Sequence, residues 1–196
     1  MNKKISHKAK KRFGQNFLTN DYYLYEIVKN INPQPSDKII EIGPGLGALT
    51  KHLLDNLADS GKLKVIEIDT DCISELSRIF KSEIENNKLE IINIDVLKVD
   101  FPNLITSNKT RIIGNLPYNI SSPLIIKLLP LISKLQDMVF LLQKEVVDRL
   151  AASPNNSSYG RLSIITQYFC DVTPLTHIPP DAFTPAPKVE SKLVRL

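Results

Sequence analysis

Apolar and polar positions alternate between two patterns along this chain. Short apolar runs, bounded by glycine, proline, asparagine or aspartate, occur at Lys38–Ile42, Leu63–Asp69, Leu89–Ile94, around Ile112 and Ile113, and at Asp137–Leu142. They are short and rich in isoleucine, valine and leucine, so they read as buried strands. Between them, apolar residues recur with a helical period at Asp21–Ile31, Leu49–Leu57, Thr70–Lys81, Ser122–Ile132, Gln143–Ala152 and Tyr159–Thr166. Pro123 takes an early helical position, where its missing N–H costs nothing. Strands that alternate with helices predict an α/β fold around a mostly parallel sheet. Near the end, Tyr168–Leu175 and Lys192–Leu196 suit an antiparallel pair at the sheet edge. Between them Pro179, Pro180, Pro185 and Pro187 stiffen a long loop that carries Phe183 and Lys188.

The ends of the expected strands carry the candidate chemistry. The first runs into Gly43-Pro44-Gly45-Leu46-Gly47-Ala48 and then a helix, the nucleotide-binding opening of a doubly wound sheet. This string also satisfies the dinucleotide-binding glycine pattern, so a nicotinamide dehydrogenase is an open alternative. Pro44 argues against it by removing an N–H from a loop that would cradle a pyrophosphate. The second strand ends in Glu67, at the place of a carboxylate that grips ribose hydroxyls, and in Asp69, which reads as the N-cap of the next helix. The third ends in Asp95, which could accept a hydrogen bond from an adenine amino group or serve only as a solvated turn acid. The fourth ends in Asn115-Leu116-Pro117-Tyr118. The Asn115 amide oxygen and the Leu116 carbonyl can each accept one N–H of an exocyclic ring amine. Pro117 restrains the turn, and Tyr118 offers a ring on which a base can stack. That set suits methylation of such an amine; its plainer alternative is a polar turn after a buried strand.

Composition narrows this further. The chain has 196 residues, enough for one α/β domain. Its net charge of +4 is uneven: Lys3, Lys4, Lys8, Lys10, Lys11 and Arg12 crowd the first twelve residues, and the remainder carries 19 basic and 21 acidic side chains. Such an arm suits RNA phosphates, or acts as a solubilising tail. Lys144 and Arg149 could also face RNA. His7, His52 and His177 have no partners at metal-ligand spacing, so no metal is expected. Cys72, in an expected helix, and Cys170, in an expected strand, form no disulfide framework, which points to a reducing cytoplasm. No apolar segment is long enough to span a bilayer.

Taken together, these motifs resemble the ribosomal RNA adenine dimethyltransferases that act on the small-subunit rRNA. The resemblance runs over nearly the whole chain: Arg12–Leu18, Glu41–Thr50, Glu67–Asp69, Asp95, Asn115–Pro123, Gln143–Leu150 and Phe183–Ser191 match the family's motifs in order. Leu116 and the Phe-Thr-Pro-Ala-Pro-Lys-Val tail resemble the housekeeping enzymes more than the related macrolide-resistance methylases. The resemblance implies a Rossmann-like class I methyltransferase with a seven-stranded, mostly parallel sheet, helices on both faces and an antiparallel C-terminal edge. Residues 1–19 would be a basic arm and cofactor-closing motif, and 20–196 the methyltransferase domain. The family's C-terminal helical domain is expected to be absent.

The cofactor implied is S-adenosylmethionine. Asn16 and Leu18 would close over it, Gly43 and Gly45 would pass beneath it, Glu67 would hold its ribose and Asp95 its adenine amine. Ile68 and Val96 would flank the adenine ring. Asn115 would lie where cofactor and target meet, with Leu116, Tyr118 and Phe183 receiving the target adenine. The substrate implied is small-subunit rRNA in an immature subunit, with two adjacent adenines near its 3′ end converted to N6,N6-dimethyladenosine, by a cytoplasmic monomer with no membrane partner. The alternative from another class is a non-catalytic RNA-binding or ribosome-assembly factor on the same fold.

Overall fold

The computed structural model describes residues 9–105, 107 and 109–196; the side chain of Lys11 is outside that description, as are Lys3, Lys4 and Lys8 of the expected basic arm. The strands are β1 (Phe17–Leu18), β2 (Lys38–Ile42), β3 (Lys62–Glu67), β4 (Leu89–Asn93), β5 (Thr110–Asn115), β6 (Leu135–Gln143), β7 (Thr173–Ile178), β8 (Phe183–Thr184) and β9 (Ser191–Arg195). The helices are α1 (Asp21–Ile31), α2 (Ala48–Asn56), α3 (Thr70–Ile79), α4 (Lys81–Glu85), α5 (Phe101–Leu104), α6 (Ser121–Leu128), α7 (Lys144–Leu150) and α8 (Arg161–Phe169). Seven strands form one sheet in the order β4-β3-β2-β5-β6-β9-β7, and β1 and β8 form a second, two-stranded one. The pairs from β4 to β6 are parallel, and β9 runs antiparallel to both β6 and β7. This is the expected class I architecture with its antiparallel edge.

Burial on both faces explains the near-continuous apolar strands. Side chains alternate across a strand. Ile39, Ile113, Val139, Leu141 and Leu193 therefore face one core, with Leu24, Ile27 and Ile31 of α1 and Leu53 of α2. Ile40, Ile112, Met138, Phe140 and Val194 face the other, with Leu124 and Ile125 of α6 and Val147 of α7. Helix starts follow local chemistry. Asn20 caps α1 by accepting the Tyr22 amide; Asp69, as expected of it, caps α3 by accepting that of Asp71.

Several boundaries differ from the sequence reading. The helix expected to reach Ile132 ends at Leu128 and tightens into a 3-10 turn over Leu129–Lys134, because Pro130 cannot donate to the ladder. The strand expected at Tyr168–Leu175 begins only at Thr173: α8 runs on to Phe169, and the Cys170 amide still donates to Thr166. Cys170 therefore ends a helix and is not in a strand. The aromatic pair Tyr168–Phe169 has strand propensity, but Tyr168 lies on an exposed helical face where packing does not decide. The short pairing of β1 with β8 has no signature in two-residue strands.

A buried ion network ties the amino ends of the strands together. Arg111 at the start of β5 grips Asp137 with both Nε and Nη2 (2.7 Å each) and donates from Nη1 to Asp37 at 2.9 Å. Nη2 also donates to the Ile31 carbonyl at the end of α1 (2.6 Å). All three charged residues are buried. Removing the cation leaves buried Asp37 without its ion-pair partner and Asp137 with Arg195 alone at 3.3 Å, so Arg111→Met is expected to cost about 3–5 kcal/mol in urea denaturation. An unchanged midpoint would show that the network contributes no stability.

Candidate functional site

The order of the sheet reverses between β2 and β5, so the connections leaving these neighbours diverge and open a crevice at their carboxyl ends. A cavity of about 720 Å3 lies there, within the range of small-molecule sites. Its walls include every residue that the sequence placed in the cofactor site: Asn16, Leu18, Gly43, Gly45, Glu67, Asp95 and Asn115. Leu116, Tyr118 and Phe183 border the same space.

Each wall is fixed by its local chemistry. Gly43 and Gly45 adopt φ of +66° and +56°, in the left-handed region. A Cβ on Gly45 would stand 2.8 Å from the Phe17 ring, so the glycine is required both by conformation and by the segment packed against it. Glu67 is buried at the end of β3. Its Oε1 accepts the amides of Ile68 (2.8 Å) and Asp69 (2.9 Å), and its Oε2 accepts that of Gly45 (3.2 Å). Burial raises its pKa, and these three donors oppose the rise. A carboxylate has about four acceptor positions, so one remains for a hydroxyl from the cavity. Asp95 caps the turn Val96–Lys98 by accepting the Leu97 amide at 2.9 Å. Ile68 is partly exposed and Val96 buried; both line the cavity, as an apolar sandwich requires.

At the end of β5, Asn115 donates from Nδ2 to the Asn16 carbonyl at 3.2 Å, which leaves its amide oxygen for an outside donor. Leu116 anchors the turn, its side chain buried and its amide donating to the Leu141 carbonyl (3.2 Å). The Tyr118 hydroxyl lies 3.3 Å from Ser191 Oγ on β9, which restrains the ring. Phe183 is 4 % exposed and packs in the core with Leu18 and Leu24, so it is more a wall than a free platform.

Lys144 and Arg149, which could face RNA or simply be solvated, remain half-exposed and form pairs with Asp148 and Glu145 along α7. Two features of the site escaped the sequence reading. Lys10, placed in the basic arm, pairs with Asp69 and Asp71 at the start of α3. Glu41, read as a strand residue and as the start of the Glu41–Thr50 motif but given no role, lines the cavity and accepts the Thr50 hydroxyl at 2.7 Å. The spacing of Glu41 and Thr50 across the glycine turn is the signal that could have found the second. Among the described residues, no cluster of histidine, cysteine or carboxylates could hold a metal, and no helix is long and apolar enough to cross a membrane.

Known proteins are similar to this chain in sequence and fold. The family profile described as ribosomal RNA adenine dimethylase matches residues 6–196. The ribosomal RNA small subunit methyltransferase A of Idiomarina loihiensis is 53% identical over 192 residues, covering 98% of this chain and 65% of its own. A dimethyladenosine transferase from Plasmodium falciparum superposes with a TM-score of 0.80 at 37% identity, over 92% of this chain and 62% of its own. The 23S rRNA methyltransferase ErmE shares the fold, with a TM-score of 0.74 at 24% identity over 92% of this chain and 68% of its own. The chain thus spans less than two thirds of the first two relatives.

Glu41 gives the site a pH signature. Burial pushes its carboxyl up to about 8, against the Thr50 hydrogen bond that favours ionisation. The unfolded chain ionises this group near the ordinary glutamate value, so between the two values the unfolded state binds fewer protons and stability falls as pH rises. Glu41→Gln lacks this loss. Its urea midpoint is expected to gain on the unsubstituted protein between about pH 5 and pH 8; a constant difference would contradict the assignment.

Proposed function

The chain belongs to the ribosomal RNA adenine dimethylase family, and on that premise we propose that it transfers methyl groups to the N6 amine of adenines in small-subunit rRNA. The product proposed is N6,N6-dimethyladenosine at two adjacent adenines near the 3′ end, formed in the cytoplasm during subunit biogenesis. The observation that carries the reading is the meeting, on one cavity, of a glycine turn, a ribose-type carboxylate and the Asn115 amide oxygen at the mouth of β5. The relatives named above support the substrate class.

The residues fit S-adenosylmethionine. Gly43 and Gly45 let the backbone pass close to a ligand, Glu67 retains one acceptor position for a ribose hydroxyl, and Asp95, Ile68 and Val96 line the same cavity. When bound, this cofactor supplies an electrophilic methyl group on a sulfonium, which is already a good leaving group. The protein's part is alignment, a contribution of up to about 7–11 kcal/mol when reacting atoms are held near attack geometry. The Asn115 amide oxygen and the Leu116 carbonyl would accept the two N–H groups of the adenine amine and free its lone pair for attack. Tyr118, held by Ser191, is the ring on which the unstacked base would lie, and Phe183 bounds the same space. The methylated nitrogen releases its proton readily, so no general base is assigned. In the second round the monomethylated amine offers only one N–H, which a single acceptor of the pair can hold.

Intact Glu67, Asp95 and Asn115-Leu116-Pro117-Tyr118 favour catalysis over a purely structural role in ribosome assembly. Asn115→Ala is expected to lower methyl transfer to undermethylated small subunits by about 100-fold or more, while calorimetry shows the cofactor still bound; full activity would remove the amine cage. Glu67→Gln is expected to weaken cofactor binding about tenfold, and unchanged affinity would place the ribose elsewhere.

A further inference from the structure

The segment from Lys10 to Leu18 borders the cavity and is fastened along its length. At its far end β1 pairs with β8, and the Thr19 and Asn20 amides both donate to the Ala182 carbonyl. In its middle the Asn16 carbonyl accepts from Asn115, and the Phe17 ring packs on Gly45. Its near end is held by side chains. Lys10 Nζ stands 2.5 Å from Asp69 Oδ1 and 2.6 Å from Asp71 Oδ2. Gln15 Nε2 donates to Asp69 Oδ2 at 2.8 Å, and Gln15 Oε1 accepts the Lys10 amide at 2.8 Å.

We propose that Lys10 and Gln15 form a latch, gripping Asp69 and Asp71 to hold this segment against the cavity, and that both are positioning residues for the cofactor. The latch stands on geometry alone; its effect on the cofactor rests on the reading given under Proposed function.

Asp69 is buried, and a buried carboxylate needs compensation. Burial disfavours its charge, but the hydrogen bonds from Lys10 and Gln15 outweigh this and hold its carboxyl below the ordinary range. The grip reaches the site by a short path. The Asp69 amide donates to Glu67 Oε1, so the carboxylate assigned to the ribose is oriented by the same residue that Lys10 holds. The Asp69 side chain also caps α3 through the Asp71 amide at 3.1 Å. Releasing Lys10 therefore loosens one end of the wall formed by Asn16 and Leu18 and disturbs the donor set of Glu67 together.

Hydrogen exchange on the ligand-free protein tests the latch without any cofactor. In Lys10→Met, the peptide spanning residues 10–18 is expected to exchange about tenfold faster, with the α1 peptide unchanged. Lys10→Arg keeps the charge and is expected to restore protection. Unchanged exchange in Lys10→Met, or acceleration spread equally through α1 and the sheet, would overturn the latch. The positioning role is read from the dissociation rate of S-adenosylmethionine, expected to rise about tenfold in Lys10→Met and to recover in Lys10→Arg. An unchanged rate would overturn that role. Failure of the unsubstituted protein to bind the cofactor would refute the cofactor reading, whereas the exchange comparison decides the latch by itself.

Discussion

A parallel sheet covered by helices on both faces leaves one open place for a ligand: the carboxyl edge where strand order reverses. Here that place lies between β2 and β5. The glycine turn leaves β2 in a conformation only glycine adopts easily, and Asn115 leaves β5 beside it. Glu67 and Asp95 follow at the ends of the strands on the other wing. Were the order of the sheet different, the same side chains would be scattered over separate edges and would have no common chemistry.

The residues at these ends hold one another as well as the cavity. The Glu67 carboxylate joins the glycine turn to the start of α3 by accepting amides from both. Asn115 joins the end of β5 to the N-terminal segment through the Asn16 carbonyl. These bonds orient the two groups before any ligand arrives, which lowers the ordering cost of binding. Far from the cavity, Arg111 fastens the opposite ends of β5 and β6 to α1, so the strands that present the site are anchored at both ends.

Much of this was legible in the sequence. Apolar runs bounded by turn residues mark β2 to β6 because burial on both faces demands them. The glycine turn, Glu67, Asp95 and Asn115-Leu116-Pro117-Tyr118 were visible because each sits at the end of such a run. What escaped depends on tertiary pairing. Nothing local distinguishes Lys10 from its neighbours Lys8 and Lys11; only the folded chain brings it to Asp69, 59 residues away. Nothing in the local sequence marks Arg111 either; only the folded chain brings Asp37 and Asp137 to it. Phe183, which the resemblance placed beside the target adenine, lines the cavity, but the pairing of its strand with β1, which no local pattern announces, buries most of its ring. Tyr168 read as a strand residue, but the solvent-exposed face of α8 places no demand on its propensity.

The most direct test of the account is a crystal structure of the protein bound to S-adenosylhomocysteine. The account predicts the ribose hydroxyls on Glu67, the adenine between Ile68 and Val96 beside Asp95, and the sulfur within about 4–5 Å of Asn115. A ligand bound with its sulfur remote from Asn115, or outside this cavity, would contradict it.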